Sequence, residues 1–442
     1  MILGVTASSS LCVTCASSIV ASSYDNMERQ LNISKRVAIL ALSLYVVGLG
    51  LGPIFIAPLS EFFGRRPIYL VSFGAFCLLG LPVTFANNVE VLFIFRFITG
   101  FCGSAFLSVA GGTVTDLYQP HNVYLPMAIY SASPFAGPEL APLYSGFANY
   151  FTKSFRWSFV VIAIWSAIQW VLILMFLPET YAPMILTQRA RALRKETGND
   201  LWRSEHECKN ADRSLCQTLA VSVMRVPQLL VLEPMLLLLC LWSALLLGII
   251  YLLFGAYAVV FVEGRGFNVW QTGLTFLGIF VGMAFGLASM PYWSRLYHKA
   301  CEKNGGVAPP EARLPPAMPG AFLTVIGLFT FSFVTSPHVH WIAPVIAGAP
   351  FGAGLILIFI SVFSFTADAY RPVAASAMAC NSVLRSSFAA AFPLFSTQMY
   401  HRLGTMGATC LLAGLNVLMI PVPFLFYRYG AAIRARSRFT LS

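Results

Sequence analysis

Four polar side chains stand inside stretches of the chain that are otherwise apolar, Arg96, Glu139, Asn381 and Arg385, and Asp116 stands directly after such a stretch. An ionised group in such surroundings must be paired, neutralised by a proton, or turned towards water. These positions are therefore the candidates for transport and proton coupling. Glu139 is the best single candidate for a protonatable or cation-binding group. It sits mid-way along SASPFAGPELAPLYSGF, residues 131–147. Its other reading is a neutral acid in a helix contact or beside an aqueous vestibule. Arg96, in RFITGFCG, reads as a fixed charge that lines a cavity or supports a proton-linked carboxylate. The alternative is an arginine that snorkels or forms a purely structural pair. We take Arg96 as the fixed charge and Glu139 as its titrating partner. Asn381 and Arg385 are four residues apart, which places them on one helix face.

Glu233 opens the seventh apolar stretch, and Tyr251, Phe254 and Tyr257 follow within it. Aromatic rings with a few polar groups suit a greasy cavity that accepts amphipathic cations. With 37 phenylalanines in the chain, most rings must simply pack or face lipid.

A second motif reads APLSEFFGRRP, residues 57–67. Gly64 permits a tight turn. Arg65 and Arg66 anchor that turn on one side of a membrane, and Glu61 pairs with arginine or caps an adjacent helix start. An ordinary anchoring loop is the plainer reading. In the 131–147 segment, Pro134, Pro138 and Pro142 interrupt the helix ladder, and the small residues beside them permit close contact.

These residues need a scaffold, and composition names it. Of the 442 residues, 58% are hydrophobic and 10% charged, with mean hydropathy +0.75. A bilayer core takes about 20 apolar residues per helix. Twelve such spans fit the chain, near 1–22, 36–60, 67–86, 91–115, 124–148, 157–177, 235–261, 270–292, 319–335, 341–366, 373–397 and 406–428. A barrel would instead show short alternating segments. The expected architecture is all-α, with a six-helix half over 1–177, a central linker over 178–234, a second half over 235–428 and a basic tail over 429–442. A smaller polar stretch covers 293–318. Lysine and arginine set the orientation. With both termini and the linker in the cytoplasm, nineteen lie inside and seven outside. Arg29, Lys35 and Arg36 are the local exception. The formal charge of +11 is thus a topology signal and not a nucleic-acid footprint. Membrane lipid is the expected surrounding.

Other classes are excluded by what the chain lacks. There is no GxxxxGK[ST] loop, and the linker is too small for a nucleotide-binding domain. The ten cysteines have no metal-ligand spacing, and His298, His338, His340 and His401 form no cluster. Neither an enzyme nor a cofactor or metal site is expected. Asn32-Ile33-Ser34 is a sequon close to the membrane. Met1 opens directly into the first apolar run, which reads as a retained helix and not a cleaved leader. Its SSSLCVTCASS segment fits a helix lining an interior path, or polar contacts between helices.

An internal repeat supports two related halves. Asp116, Tyr118 and Pro120 recur 252 residues later as Asp368, Tyr370 and Pro372, each set following the fourth span of a half. Carriers built from paired repeats bind substrate at the interface between halves.

These stretches resemble the major facilitator superfamily, and within it the fungal branch of twelve-helix drug:proton antiporters that includes multidrug and polyamine exporters. The resemblance covers essentially the whole chain. It runs through VGLGLGP, APLSEFFGRRP, RFITG, LPETYAPMILTQRARALRKETG, RLPPAMPGAF, NSVLRSSFAAAFPLFSTQMY and YRYGAAIRARSRF. It implies a major facilitator fold of twelve helices in two pseudo-symmetric halves. Glu61, Gly64, Arg65 and Arg66 look like the family's gating loop, Arg96 and Gly100 like its fourth-helix proton-coupling motif, and Gly137, Pro138, Ala141 and Pro142 fall in its fifth-helix antiporter motif. Ala57 stands where the general pattern has glycine, and Glu61 where it has aspartate. Ala141 and Ser145 replace expected glycines, and Glu139 is an unexpected acid. Relatives usually carry a cytoplasmic tail before the first helix, which this sequence does not show. The implied function is secondary active export, by a monomer in the fungal plasma membrane, of drugs, polyamines or secondary metabolites of amphipathic or cationic character. Protons are the coupling ion. The rivals are a proton-coupled or facilitative importer and a transport-inactive sensor or structural homologue.

Overall fold

The computed structural model describes residues 1–118, 123–199, 201–211, 215–305, 308–435, 437 and 439. Pro120 of the repeat, the side chain of Pro372, and Arg436 and Arg438 of the basic tail lie outside the described residues. The rest is helical, with no strand among the described residues.

The long helices are α1 (Ile2–Ser18, extended by a 3-10 turn to Ser22), α2 (Lys35–Phe63), α3 (Arg65–Thr84), α4 (Val89–Leu117), α5 (Tyr124–Thr152) and α6 (Arg156–Phe176). After the linker come α7 (Pro234–Tyr257, continuing as a π-turn to Glu263), α8 (Val269–Lys303), α9 (Ala317–Val334), α10 (Ile342–Ala369), α11 (Ala374–Val417) and α12 (Pro421–Arg434). In lipid every backbone polar group must be satisfied within the chain, which continuous helices achieve.

Among the described residues, ten helical segments are long and apolar enough to cross a membrane. Two differences separate this from the expected spans. The 29-residue α5 is not among the ten, because its three prolines and polar side chains dilute its hydropathy. The turn expected near 398–405 is present and contracts to Gly404. Two helices meet there at Gly404, whose φ of 72° glycine adopts readily, and Tyr400 Oη and Thr409 Oγ1 lie 3.0 Å apart across the turn; with no longer break between the two helices, Ala374–Arg434 is one apolar segment. Two further boundaries moved. The polar stretch 293–318 is helical as far as Lys303, where α8 projects beyond its apolar part. The linker holds three helices, Ala182–Thr197, Glu205–Ala211 and Leu215–Leu232. The last docks on α2 and α11 and buries Val226 and Leu229 in the core.

The apolar interior forms two clusters. One lies within residues 5–177; the other is built mainly from residues after 226. The first half packs through α1 on α5, α2 on α4 and α3 on α6, and the second through α7 on α11, α8 on α10 and α9 on α10. Gly100 shows why such pairs approach closely. A Cβ there would stand 2.1 Å from the Tyr45 carbonyl oxygen of α2. The halves meet along α2 and α11 and along α5 and α8. Val71, Leu78, Ile164, Ile168, Phe285 and Ile346 face outward, as side chains in contact with lipid do.

Candidate functional site

Where the two halves face each other they enclose a cavity of about 490 Å³. It runs from Arg385 and Asn381 on α11, past Tyr130, Ser131 and Pro134 on α5, to Glu61, Arg65 and Arg371 at the helix ends beside the linker. Arg385 lies eleven residues along α11 from Ala374, about 16 Å at the helical rise, and so near the middle of a bilayer core.

Charged clamps surround the linker-side mouth. Gly64 turns the chain from α2 into α3 with φ 97°, as the sequence expected. The cap on α3 is not Glu61. It is Glu179, just beyond α6, whose Oε1 accepts from the Arg65 N–H at 2.9 Å and whose Oε2 accepts from the Arg66 N–H at 3.1 Å. Glu179 also accepts from the N–H groups of Thr180 and Tyr181, which locks its carboxylate in place. Glu61 is exposed, and its backbone carbonyl meets the His206 ring of the linker at 3.0 Å. The Arg65 guanidinium donates to Asp116 at 3.3 Å and to Ser60 at 2.7 Å. Asp116 is thus a partner of the turn between α2 and α3 and not part of the cavity wall.

The other half repeats this clamp. Arg313 donates to Asp368 at 2.9 Å, and Arg371 reaches the same carboxylate at 3.5 Å. Asp116 and Asp368, the two acids of the repeat, each hold the arginine that opens or precedes the helix beside them. Arg313 also lies over the rings of Tyr297 and Tyr124, which stack across the two halves with centroids 5.7 Å apart. Glu311 and Arg434 pair at 2.9 Å and tie α12 to the same corner. Glu179, Glu311 and Arg313 were missed in the sequence reading. For Arg313 the repeat itself was the available clue, because an acid 252 residues after Asp116 needs a base as Asp116 does.

The opposite side of the cavity is closed. Ser17 Oγ and Tyr251 Oη lie 2.6 Å apart, joining α1 to α7. Ser43 donates to the Ala390 carbonyl at 2.7 Å, joining α2 to α11. Arg96 belongs to this region, buried and away from the central cavity. Its three nitrogens donate to the carbonyls of Ala41, Ala16 and Ser17 at 2.9, 2.7 and 3.1 Å, and its guanidinium lies over the Tyr45 ring at 4.3 Å. Carbonyl dipoles and a π-face satisfy the cation without a carboxylate.

Glu139 is fully buried on α5, and neither carboxylate oxygen has a hydrogen-bond partner. No ion pair joins it to Arg96, so the two are not brought together as the sequence reading expected. Two residues before Glu139, Gly137 fits tightly against α1. A Cβ there would stand 2.1 Å from Thr14 Oγ1, and the Gly137 carbonyl accepts from Cys15 Sγ at 3.4 Å. Pro138, Ala141 and Pro142 are buried beside it, and α5 stays helical through all three prolines.

Three further residues sit elsewhere than expected. Glu233 accepts from Tyr370 and Ser437 at 3.1 and 2.6 Å, a structural contact at the start of α7. Tyr251 is committed to Ser17, and Tyr257 packs against Phe261, Phe276 and Phe331. None of the three lines the central cavity. Asn381 does, and its amide nitrogen donates to Ser243 at 2.7 Å.

Residues 6–393 match the Major Facilitator Superfamily. Over 397 residues the chain is 50% identical to a protein named efflux pump atB from Aspergillus terreus, covering 88% of this chain and 83% of that one. It is 41% identical over 406 residues to a probable drug/proton antiporter, YHK8, of Saccharomyces cerevisiae, covering 92% and 79%. The solved structure of the xylose transporter XylE from E. coli, in a partially occluded inward open conformation, superposes with TM-score 0.65 over 97% of this chain and 98% of that one. At 16% identity that likeness concerns the fold alone.

Proposed function

Because the chain belongs to the major facilitator superfamily, as a multi-pass membrane transporter and not an enzyme, we propose that it exports small amphipathic compounds from a fungal cell in exchange for protons. The observation that carries this reading is the cavity between the halves, open beside the linker and sealed on the far side. Relatives named for efflux and for drug/proton antiport support the direction and the coupling. The lysine and arginine bias supports a cytoplasmic linker and cytoplasmic termini. We count twelve crossings, with α5 as the fifth and the two helices that meet at Gly404 as the eleventh and twelfth.

In this reading the cavity loads from the cytoplasm. The halves then rock, the linker-side clamps close, and the Ser17–Tyr251 and Ser43–Ala390 contacts part. Protonation of a buried acid, with Glu139 the candidate, biases the two states because the acid's surroundings differ between them.

The test is accumulation of labelled drugs, polyamines and organic acids in export-deficient fungal cells, with and without the protein. Export predicts lower accumulation that rises again when the proton gradient is collapsed. Accumulation raised by the protein marks an importer. No change for any compound, with the protein at the plasma membrane, overturns the reading.

A further inference from the structure

The membrane region buries other guanidinium groups, and the protein itself satisfies them. Arg96 has three carbonyls, Arg65 has Asp116 and Ser60, and Arg313 has Asp368. Arg385 differs. No carboxylate pairs with it among the described residues, and its Nε is closed off from solvent with no acceptor. Its guanidinium carbon lies 5.2, 5.5 and 6.0 Å from the ring centres of Phe363, Phe135 and Phe359. Those rings come from both halves, α5 and α10, and Phe135 stacks on Phe359 with centroids 3.9 Å apart. The arginine is always ionised and presents a planar fork of donors. Ring faces offer it attraction, but they accept none of its N–H groups in the way an oxyanion does.

The rest of the wall does not supply the missing anion. Its acids, Glu61 and Asp368, stand at the mouth, and Asp368 is held by Arg313 and Arg371. The deep end is therefore cationic and aromatic. An amphipathic cation entering there meets like charge, whereas an acid meets an unfilled donor set beside an apolar surface.

We propose that Arg385 and the cavity wall beside it, with Phe363 on α10 and Tyr130 and Pro134 on α5, form the binding site for the carboxylate of an amphipathic organic acid. The proposal rests on the efflux reading for the use of the cavity and departs from the cationic substrates expected from sequence. The carboxylate receives two parallel hydrogen bonds from the guanidinium, and the apolar body of the acid lies against Phe363, Tyr130 and Pro134, with the stacked Phe135 and Phe359 packed behind Arg385. Ring faces from both halves and the α11 arginine would then close on one ligand, which couples occupancy to the rocking of the halves.

The test uses the purified full-length protein at pH 7.4 and three ligands of one shape: 1-naphthoate, 1-naphthamide and 1-naphthylmethylammonium. Binding is read by tryptophan fluorescence. The carboxylate is expected to bind about ten-fold or more tightly than the amide, as one charge-assisted bidentate contact implies. The ammonium compound binds most weakly. In R385Q the carboxylate falls to the affinity of the amide. R385K keeps the charge but loses the fork, so a smaller preference remains. Equal binding of acid and amide by the unaltered protein overturns the site, as does a preference that survives in R385Q. If R385Q does not fold, R385K decides, and an undiminished preference overturns the proposal. Lower cellular accumulation of amine or amide with no carboxylate binding sinks the anion site and leaves the efflux reading standing. Selective carboxylate binding with no transport of any compound does the reverse.

Discussion

Ser17 carries two bonds to other helices at once: its Oγ lies 2.6 Å from Tyr251 Oη, and its carbonyl accepts from Arg96 at 3.1 Å. The first bond crosses from α1 to α7 between the halves, and the second fixes α1 to α4. Arg96 thereby sits one residue away from the contact that closes the far side of the cavity. Its geometric role is to hold the α1 backbone in the position that Tyr251 needs.

Tyr251→Phe removes the cross-half bond without removing the ring. A net hydrogen bond contributes about 1 kcal/mol, a factor of about five in a two-state equilibrium. Labelling of a cysteine placed at Ser22, on the far-side pocket, is expected to speed up by about that factor. Ser17→Ala should act similarly, and the double variant should add little, because both remove one contact. Additive effects would show that the two side chains act separately.

Glu179→Ala strips four N–H groups of their acceptor at the start of α3 and in the turn after α6. Loss of a helix cap costs about 0.5–2 kcal/mol. A lower unfolding temperature in detergent is expected, with Glu179→Gln closer to the unaltered protein because one acceptor oxygen remains. Glu61→Gln, which removes no capping contact, should leave the unfolding temperature nearly in place.

Glu139→Gln keeps shape and burial while abolishing titration. If Glu139 carries the coupled proton, transport should lose its dependence on external pH while substrate binding persists. A pH profile identical to that of the unaltered protein removes Glu139 from the coupling. The measurement is uptake into vesicles over a series of external pH values.

The linker provides a pH effect with a definite sign. Burial pushes the Glu207 carboxyl up, but hydrogen bonds from Arg191, Arg194 and the Ser204 N–H outweigh it and leave the group below its ordinary value of 4.5. A lowered folded pKa favours the docked linker above the unfolded value, and that contribution is lost as pH falls through the folded one. Protease protection of the Glu205–Ala211 helix against Ala182–Thr197 should therefore hold at neutral pH and fall below about pH 4.5. Glu207→Gln should show the weaker protection at every pH.

Much of the scaffold was legible in the residues. Runs of about twenty apolar side chains have one stable form in a bilayer, the helix, because nothing else satisfies the backbone there. Gly64 could be assigned to a turn because few residues adopt its backbone geometry. Asp116 and Asp368 could be recognised as equivalents because their spacing repeats. Boundaries failed where apolar character was not the deciding term. The turn expected over 398–405 tightens to the single residue Gly404, whose backbone reverses the chain, and α8 runs on to Lys303 because an amphipathic helix needs no lipid.

The partners of the polar residues were not legible, because a charge in an apolar segment states only that a partner is needed. Arg96 was expected beside an acid and found three carbonyls; Glu139 was expected beside Arg96 and has no hydrogen-bond partner; Glu233 and Tyr251 were expected in a cavity and serve helix contacts. The sequence alone determined that this chain is a bundle of membrane helices in two related halves. Only the tertiary structure decided that Arg96, Arg65 and Arg313 are spent within the protein while Arg385 faces the cavity with no ion pair among the described residues. Hydropathy and spacing act along one helix, whereas satisfaction of a buried charge depends on atoms contributed by several.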